Sequence, residues 1–320
     1  MSGPRLQPMV RQRLAGLGPA GAAWQAGLDG LLAALERRWG ITVERRSLPG
    51  GSGSLVAPAT TAAGEPRGVK VVVPGEGVAE ALAQEARVLG AAEGRGYARL
   101  HAYDTELGAL LLDRLGRSRE QTPGAPEAVL TDLATTLREA WGTDPSVAPH
   151  PEPGEDKGST LHALVSRLAE RLGRTGAADA LDPRALALAL EYAGRRAAAH
   201  DPADCVVVHG DPHAGNLLRD ERSPTGWSYV DPDGFAADPA YDVGVALRDF
   251  SGALLALDPA TARATLEHWC ALAADLTGTD PQAVWEWAYV ERVSTGLYVT
   301  DFGAARVGAP FLRTAGHLLG

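Results

Sequence analysis

Hydrophobic positions recur with two periods along this chain, and the period switches several times. Trp24, Leu28, Leu31, Leu32, Leu35 and Trp39 fall at helical spacing and predict a helix over residues 20–39. Residues 41–47 alternate apolar and polar, the signature of a half-buried strand. A tight glycine-rich turn over 48–54 leads to a returning strand at 54–59, and 68–73 reads as a third strand. Ala79, Leu82, Ala86 and Leu89 share one face of a predicted helix over 78–92. Residues 97–103 and 108–112 complete an antiparallel set of strands. The pattern then turns helical at 126–141, 160–173 and 183–199, with Pro/Gly-rich joints at 142–158 and 174–183. Val206, Val207 and Val208 predict a short buried strand. Helical patterns return at 243–250, 260–276 and 281–300, the last with a packing stripe of Trp287, Val290, Ser294 and Leu297.

The chemistry sits where this patterning is interrupted. Lys70 lies among valines, so its ammonium must reach something polar. Glu85 lies among the apolar positions of the next helix and is the expected partner; the alternative is an edge-strand lysine in water with Glu85 on a solvated face. After the valine strand comes His209-Gly210-Asp211-Pro212-His213-Ala214-Gly215-Asn216, a polar loop with an acid and an amide five positions apart. That spacing matches the catalytic loop of kinases, where Asp takes the substrate hydroxyl proton and Asn holds Mg²⁺. A second acidic stretch, Asp231-Pro232-Asp233-Gly234-Phe235, precedes Asp238-Pro239-Ala240-Tyr241-Asp242. Asp231 is expected to be a metal ligand on a strand-to-loop exit. A rival reading makes His209, Asp211 and His213 zinc ligands with Asp231, for hydrolysis.

These two stretches together resemble the aminoglycoside phosphotransferase family of small-molecule kinases, and the second is closest to its streptomycin 6-kinase and hydroxyurea kinase branch. The likeness spans roughly residues 40 to 300 and is strongest over 205–250. It implies an α+β, protein-kinase-like fold in two lobes. Residues 1–113 would form the N-terminal lobe: an extra helix, a glycine-rich hairpin, the lysine strand and the glutamate helix. Residues 114–320 would form a helical C-terminal lobe with the catalytic loop, metal site and substrate site. It further implies ATP and Mg²⁺ as cofactors, Asp211 as the base, and Asn216 and Asp231 as metal ligands. Lys70 and Glu85 would serve the phosphates. Gly50, Gly51 and Gly53 could lay backbone against them, although a plain hairpin explains those glycines equally. Asp113, Arg114 and Leu115 would form the hinge that meets adenine. His209 and Asp242 are expected to be structural, with Asp242 capping the following helix or receiving backbone N–H groups of the catalytic loop. Asp233 departs from the streptomycin kinases, which often carry a basic residue there.

Composition narrows the acceptor. The net charge of −10 argues against nucleic acid or an anionic membrane and suits a cationic or polyhydroxylated small molecule. Asp249, Glu286, Glu291 and Asp301 are the candidate substrate acids, with a core helix and a solvated acidic face as the alternative. The two cysteines indicate a reduced compartment, and no apolar run approaches a membrane span, so a cytoplasmic enzyme is expected. Other small-metabolite kinases remain open. So does a nucleotide-binding pseudokinase, which the presence of Lys70, Asp211, Asn216 and Asp231 disfavours.

Overall fold

The computed structural model describes residues 4–51, 53–174 and 180–320. Ser52 of the glycine-rich turn and part of the 174–183 joint lie outside the described residues.

The N-terminal part is built on one antiparallel sheet. Its strands are β1 (Ile41–Val43), β2 (Ser54–Thr61), β3 (Pro66–Val72), β4 (Leu100–Asp104) and β5 (Ala109–Asp113), in the order β1-β2-β3-β5-β4. Helices α1 (Pro8–Gly16) and α2 (Pro19–Trp39) cover one face, where Val10, Leu14, Leu28, Leu32 and Leu35 meet Val69, Val71 and Leu111. Side chains alternate across a strand, so Lys70 must project from the opposite face. That face is covered by α3 (Val78–Ala92), whose Leu82, Ala86 and Leu89 pack with Leu110 and Leu112. The sequence pattern did not predict α1. Only Val10 and Leu14 of that helix are buried, which is too short an apolar stripe to stand out. The first strand is shorter than its alternation suggests, and Tyr97 forms an isolated bridge to Tyr229 rather than joining β4.

Beyond β5 the chain crosses into a mainly helical part. It comprises α4 (Pro126–Ala140), α5 (Lys157–Gly173), α6 (Pro183–Ala198), α7 (Pro239–Arg248), α8 (Ser251–Leu255), α9 (Pro259–Thr277), α10 (Pro281–Asp301) and α11 (Ala305–His317). α10 is the central post, packed on α5, α6, α7, α9 and α11 and buried almost all round through its first four turns. Gly244 of α7 permits a very close crossing. A Cβ there would lie 2.5 Å from Cβ of Trp287. Among the described residues no helix is long and apolar enough to cross a membrane.

Four short strands lie between α6 and α7. β6 (Val206–Val208) pairs with β9 (Phe235–Ala237), and β7 (Leu217–Arg219) pairs with β8 (Trp227–Tyr229), both antiparallel. The loop 209–216 runs from β6 to β7 and the loop 230–234 from β8 to β9. Because the two ladders share these connections, the loops lie side by side. Val230 N–H donates to the Asn216 carbonyl at 3.0 Å, and Asp233 N–H to the His209 carbonyl at 2.8 Å. The architecture is α+β and protein-kinase-like, with a small antiparallel-sheet lobe and a mainly helical lobe.

Candidate active site

Lys70 and Glu85 meet across the sheet–helix interface. Lys70 Nζ donates to both Glu85 oxygens, at 2.8 and 2.6 Å, and also to Asp231 Oδ1. Burial alone would lower the lysine, but the two carboxylates outweigh it and raise its pKa. Burial, resisted by Lys70 and reinforced by Asp231, pushes the Glu85 carboxyl upward. The ammonium thus joins the small lobe to the acidic loop of the large one. Asp231 has a left-handed backbone, φ 59°, a conformation uncommon outside glycine and tolerated by Asp, and such strain concentrates at functional sites.

His209 and Asp242 hold the loop backbone. The His209 ring is fully buried between Tyr97 and Tyr229. Its Nε2 bonds the Val230 carbonyl at 2.9 Å, and its Nδ1 accepts the Asp211 N–H at 3.1 Å. With both nitrogens engaged the ring is neutral, and burial pushes its pKa down to about 4. Neither nitrogen is free for zinc, and no cluster of His, Cys, Asp and Glu able to hold a metal occurs among the described residues. Asp242, also fully buried, accepts the N–H groups of His209 at 2.7 Å and Gly210 at 2.9 Å, and the Trp141 indole N–H at 2.9 Å. Burial pushes its carboxyl up to about 6 in spite of those donors. It does not cap α7; Asp238 does, accepting the Ala240 N–H at 2.9 Å.

Asp211 has a half-exposed side chain on the loop after β6. Arg248 Nη2 donates to its Oδ1 at 2.7 Å, and His213 Nε2 lies 3.6 Å from its Oδ2. Burial would raise this carboxyl; Arg248 and His213 outweigh that and hold it below its ordinary value. Asn216 uses Nδ2 to donate to the Asp211 carbonyl at 3.1 Å, which leaves its Oδ1 without a bond among the described residues. A free amide oxygen beside the open Asp231 carboxylate is a donor set that fits Mg²⁺, which takes few protein ligands and completes its shell with phosphate and water oxygens. Asp233 lies against Gly210. Although its side chain reaches water, the surrounding protein and the charge of Asp211 push it up to about 6. Lys157 adds a cation nearby, 4.8 Å over the Phe235 ring and 4.9 Å over Tyr241.

Several residues expected at the site are engaged elsewhere. Asp113 carries His101 at 2.7 Å and Arg222 at 2.8 Å on its carboxylate, and its N–H donates to the Arg99 carbonyl at 3.0 Å. Neither that N–H nor the side chain is available to adenine or substrate. Arg114 lies 3.6 Å from Glu44, and Leu115 follows it in the crossing, where Gly116 N–H is taken by the Arg219 carbonyl. Glu286 is buried against α6, paired with Arg196 at 2.6 Å and Arg195 at 3.3 Å. Glu291 is buried too and accepts the Tyr241 hydroxyl at 2.9 Å. Asp301 pairs with Arg171 of α5. Among the four acids, Glu286, Glu291 and Asp301 therefore serve helix packing. For Glu286 and Glu291 the cause is α10 itself, because an acid on its enclosed stretch must find an internal cation or donor, whereas Asp301 pairs near the surface at the end of the helix. Asp249 remains at the mouth, 3.1 Å from Arg248. Gly50, Gly51 and Gly53 stand before β2 without positive φ; a Cβ on Gly51 would meet nothing within 4 Å, so the turn is open. Sequence reasoning missed Arg248 as the partner of Asp211. Its signal was an arginine ending an otherwise apolar helical run.

The chain is similar to known proteins in sequence and in fold. The family model described as aminoglycoside/hydroxyurea antibiotic resistance kinase matches residues 38–303. A hydroxyurea phosphotransferase of Kitasatospora aureofaciens is 33% identical over 72% of this chain, and the match spans 64% of that relative's length. A streptomycin 6-kinase of Streptomyces glaucescens is 30% identical over 75% of this chain and 73% of its own length. In fold the chain is similar to a thermostable mutant of aminoglycoside phosphotransferase APH(4)-Ia, solved as a ternary complex with ADP and hygromycin B. The TM-score is 0.57 at 14% identity, covering 90% of this chain and 99% of that one. The chain belongs to the aminoglycoside/hydroxyurea antibiotic resistance kinase family.

Proposed function

We propose that this protein moves the γ-phosphoryl group of ATP to a hydroxyl of an aminoglycoside, with the 6-hydroxyl of streptomycin as the favoured acceptor. The observation that supports the reading is that two adjoining loops carry Asp211, Asn216 and Asp231, with Lys70 of the sheet paired to Asp231. Lys70, held by Glu85, would meet the phosphates, and the open turn at Gly50, Gly51 and Gly53 would lie over them. Backbone at Arg114 and Leu115 would face the adenine. Asn216 and Asp231 would hold Mg²⁺, which when bound neutralises phosphate charge. Asp211 would orient the acceptor hydroxyl and take its proton as transfer proceeds. A carboxylate of depressed pKa suits that task, because phosphoryl transfer depends on placement and charge neutralisation more than on a strong base. Asp249 is the remaining acid for a cationic acceptor. A phosphate on such a drug adds negative charge and bulk, which would oppose binding to RNA and give resistance.

Hydroxyurea is the second reading, favoured by the 33% identical relative. The two are separated by ADP release from Mg·ATP in the presence of streptomycin, other aminoglycosides or hydroxyurea. Streptomycin-dependent release, lowered about 10²- to 10⁴-fold in Asp211→Asn, is the expected result. Release with hydroxyurea alone would transfer the assignment to it. Release with no acceptor in the panel would remove both.

A further inference from the structure

Arg248 ends α7, and its side chain is only 12% exposed although it carries a full charge. A buried guanidinium is tolerated only where its N–H groups find acceptors. Here each edge of the fork is occupied. Nη2 donates to Asp211 Oδ1 at 2.7 Å and Nε to Asp249 Oδ1 at 3.1 Å; Nη1 lies 3.5 Å from Glu291 Oε2 and 3.3 Å from Thr295 Oγ1. Glu291 is itself fixed, since its other oxygen accepts the Tyr241 hydroxyl at 2.9 Å. The two oxygens of Asp211 are thereby made unequal. Oδ1 is held by Arg248, while Oδ2 has His213 Nε2 at 3.6 Å, beyond hydrogen-bond length. The His213 ring is oriented by the Gly215 N–H, which donates to its Nδ1 at 3.0 Å, and its Nε2 faces Oδ2.

We propose that Arg248 is a positioning residue for the base: it holds Oδ1 of Asp211 so that Oδ2 is the oxygen presented to the acceptor hydroxyl, and Glu291 anchors Arg248 from α10. This rests on the phosphotransferase reading above. The Asp211 side chain is 43% exposed, and Arg248 is the one side chain among the described residues that hydrogen-bonds its carboxylate. Without it the carboxylate is free to change rotamer. A reacting group misplaced by 1 Å costs on the order of 100-fold in rate. Arg248 has no contact with Lys70, Asn216 or Asp231 among the described residues, so its loss acts on turnover and not on nucleotide binding.

The test measures ADP release from Mg·ATP, with streptomycin and in parallel hydroxyurea, for Arg248→Met, Arg248→Lys and Glu291→Gln. Arg248→Met lowers kcat by about 10- to 100-fold with the nucleotide KM within about twofold. Arg248→Lys recovers part of kcat, because one ammonium can still meet Oδ1 but cannot span Asp249 and Glu291 together. Glu291→Gln gives a smaller loss with the same split. Unchanged kcat in Arg248→Met, a matching rise in nucleotide KM, or a lysine variant no better than methionine overturns the proposal. If Arg248→Met does not fold, the other two variants carry the same comparison. Should the wild type turn over neither acceptor, the phosphotransferase reading fails separately. The contact is then read from urea unfolding in a double-mutant cycle of Asp211→Asn with Arg248→Lys, and the absence of coupling overturns it.

Discussion

His209 should contribute a loss of stability as the pH falls below 6.5, because its ring is buried in the neutral form. Its ring has no exposure to water, its Nδ1 accepts the Asp211 N–H, and its Nε2 bonds the Val230 carbonyl. A second proton has no acceptor and would break the bond to Asp211. Burial accordingly places the native pKa at about 4, against the ordinary 6.5. Between those values His209 binds more protons in the unfolded chain than in the folded one, so its contribution to stability is complete above pH 6.5 and falls as pH drops. At 1.36 kcal/mol per unit, the 1.5 units from 6.5 to pH 5 correspond to about 2 kcal/mol, a large part of the stability of a typical domain. Urea unfolding at pH 7, 6 and 5, for wild type and His209→Gln, measures it. Gln keeps a polar tip but does not titrate, so the gap between the two proteins should narrow by about 2 kcal/mol from pH 7 to pH 5. A gap constant to within about 0.5 kcal/mol across that range would refute a buried neutral His209.

Other perturbations have equally definite signs. Lys70→Met should lower kcat/KM for Mg·ATP by about 10²- to 10³-fold in the ADP-release assay, the cost of removing one preorganised donor to a transferring phosphoryl group. Asn216→Ala should raise the Mg²⁺ concentration needed for half-maximal turnover, and chelation of Mg²⁺ should abolish turnover in the wild type. Gly244→Ala should destabilise by about 1–3 kcal/mol in urea melts, because its methyl enters the space of Trp287 and the backbone of Ala288.

Strands β2 and β3 were legible as short apolar runs between turn residues, and the apolar stripes of α3, α4 and α6 because each of those helices buries one face and solvates the other. A charge inside such a pattern is equally legible. Lys70 and Glu85 stood out as charges at buried positions, and each proved to lie against the other. Asp211 and Asn216 drew notice through their spacing and Asp231 through its place at a strand exit, and the paired ladders explain why these distant loops become neighbours. α10 defeated the same reasoning. It is buried almost all round through its first four turns, so no polar face there marks which of its acids meet water, and Glu286 and Glu291 read as surface groups although both are buried. Asp113 failed for another reason: its carboxylate is taken by His101 of the neighbouring strand β4 and by Arg222 of the turn between β7 and β8, and partners that come from other elements leave no local trace.

One short helix then accounts for much of the catalytic loop's geometry. α7 reaches that loop from both ends: Asp242 in its first turn holds the backbone of His209 and Gly210, and Arg248 at its last residue holds the side chain of Asp211. Ten residues of helix span about 15 Å, and a segment that short keeps its angle only if something rigid backs it. α10 is that backing. Gly244 lets the two helix backbones approach closely, and the buried Arg292 of α10 donates to the Leu247 carbonyl at 2.6 Å, satisfying an acceptor at the end of α7. The Trp287 indole of α10 also donates to Asp238, the residue that caps the start of α7, at 2.9 Å. Both ends of α7 are therefore fixed to one post, and the loop that carries Asp211, which also bonds within itself, takes its position from the core of the large lobe.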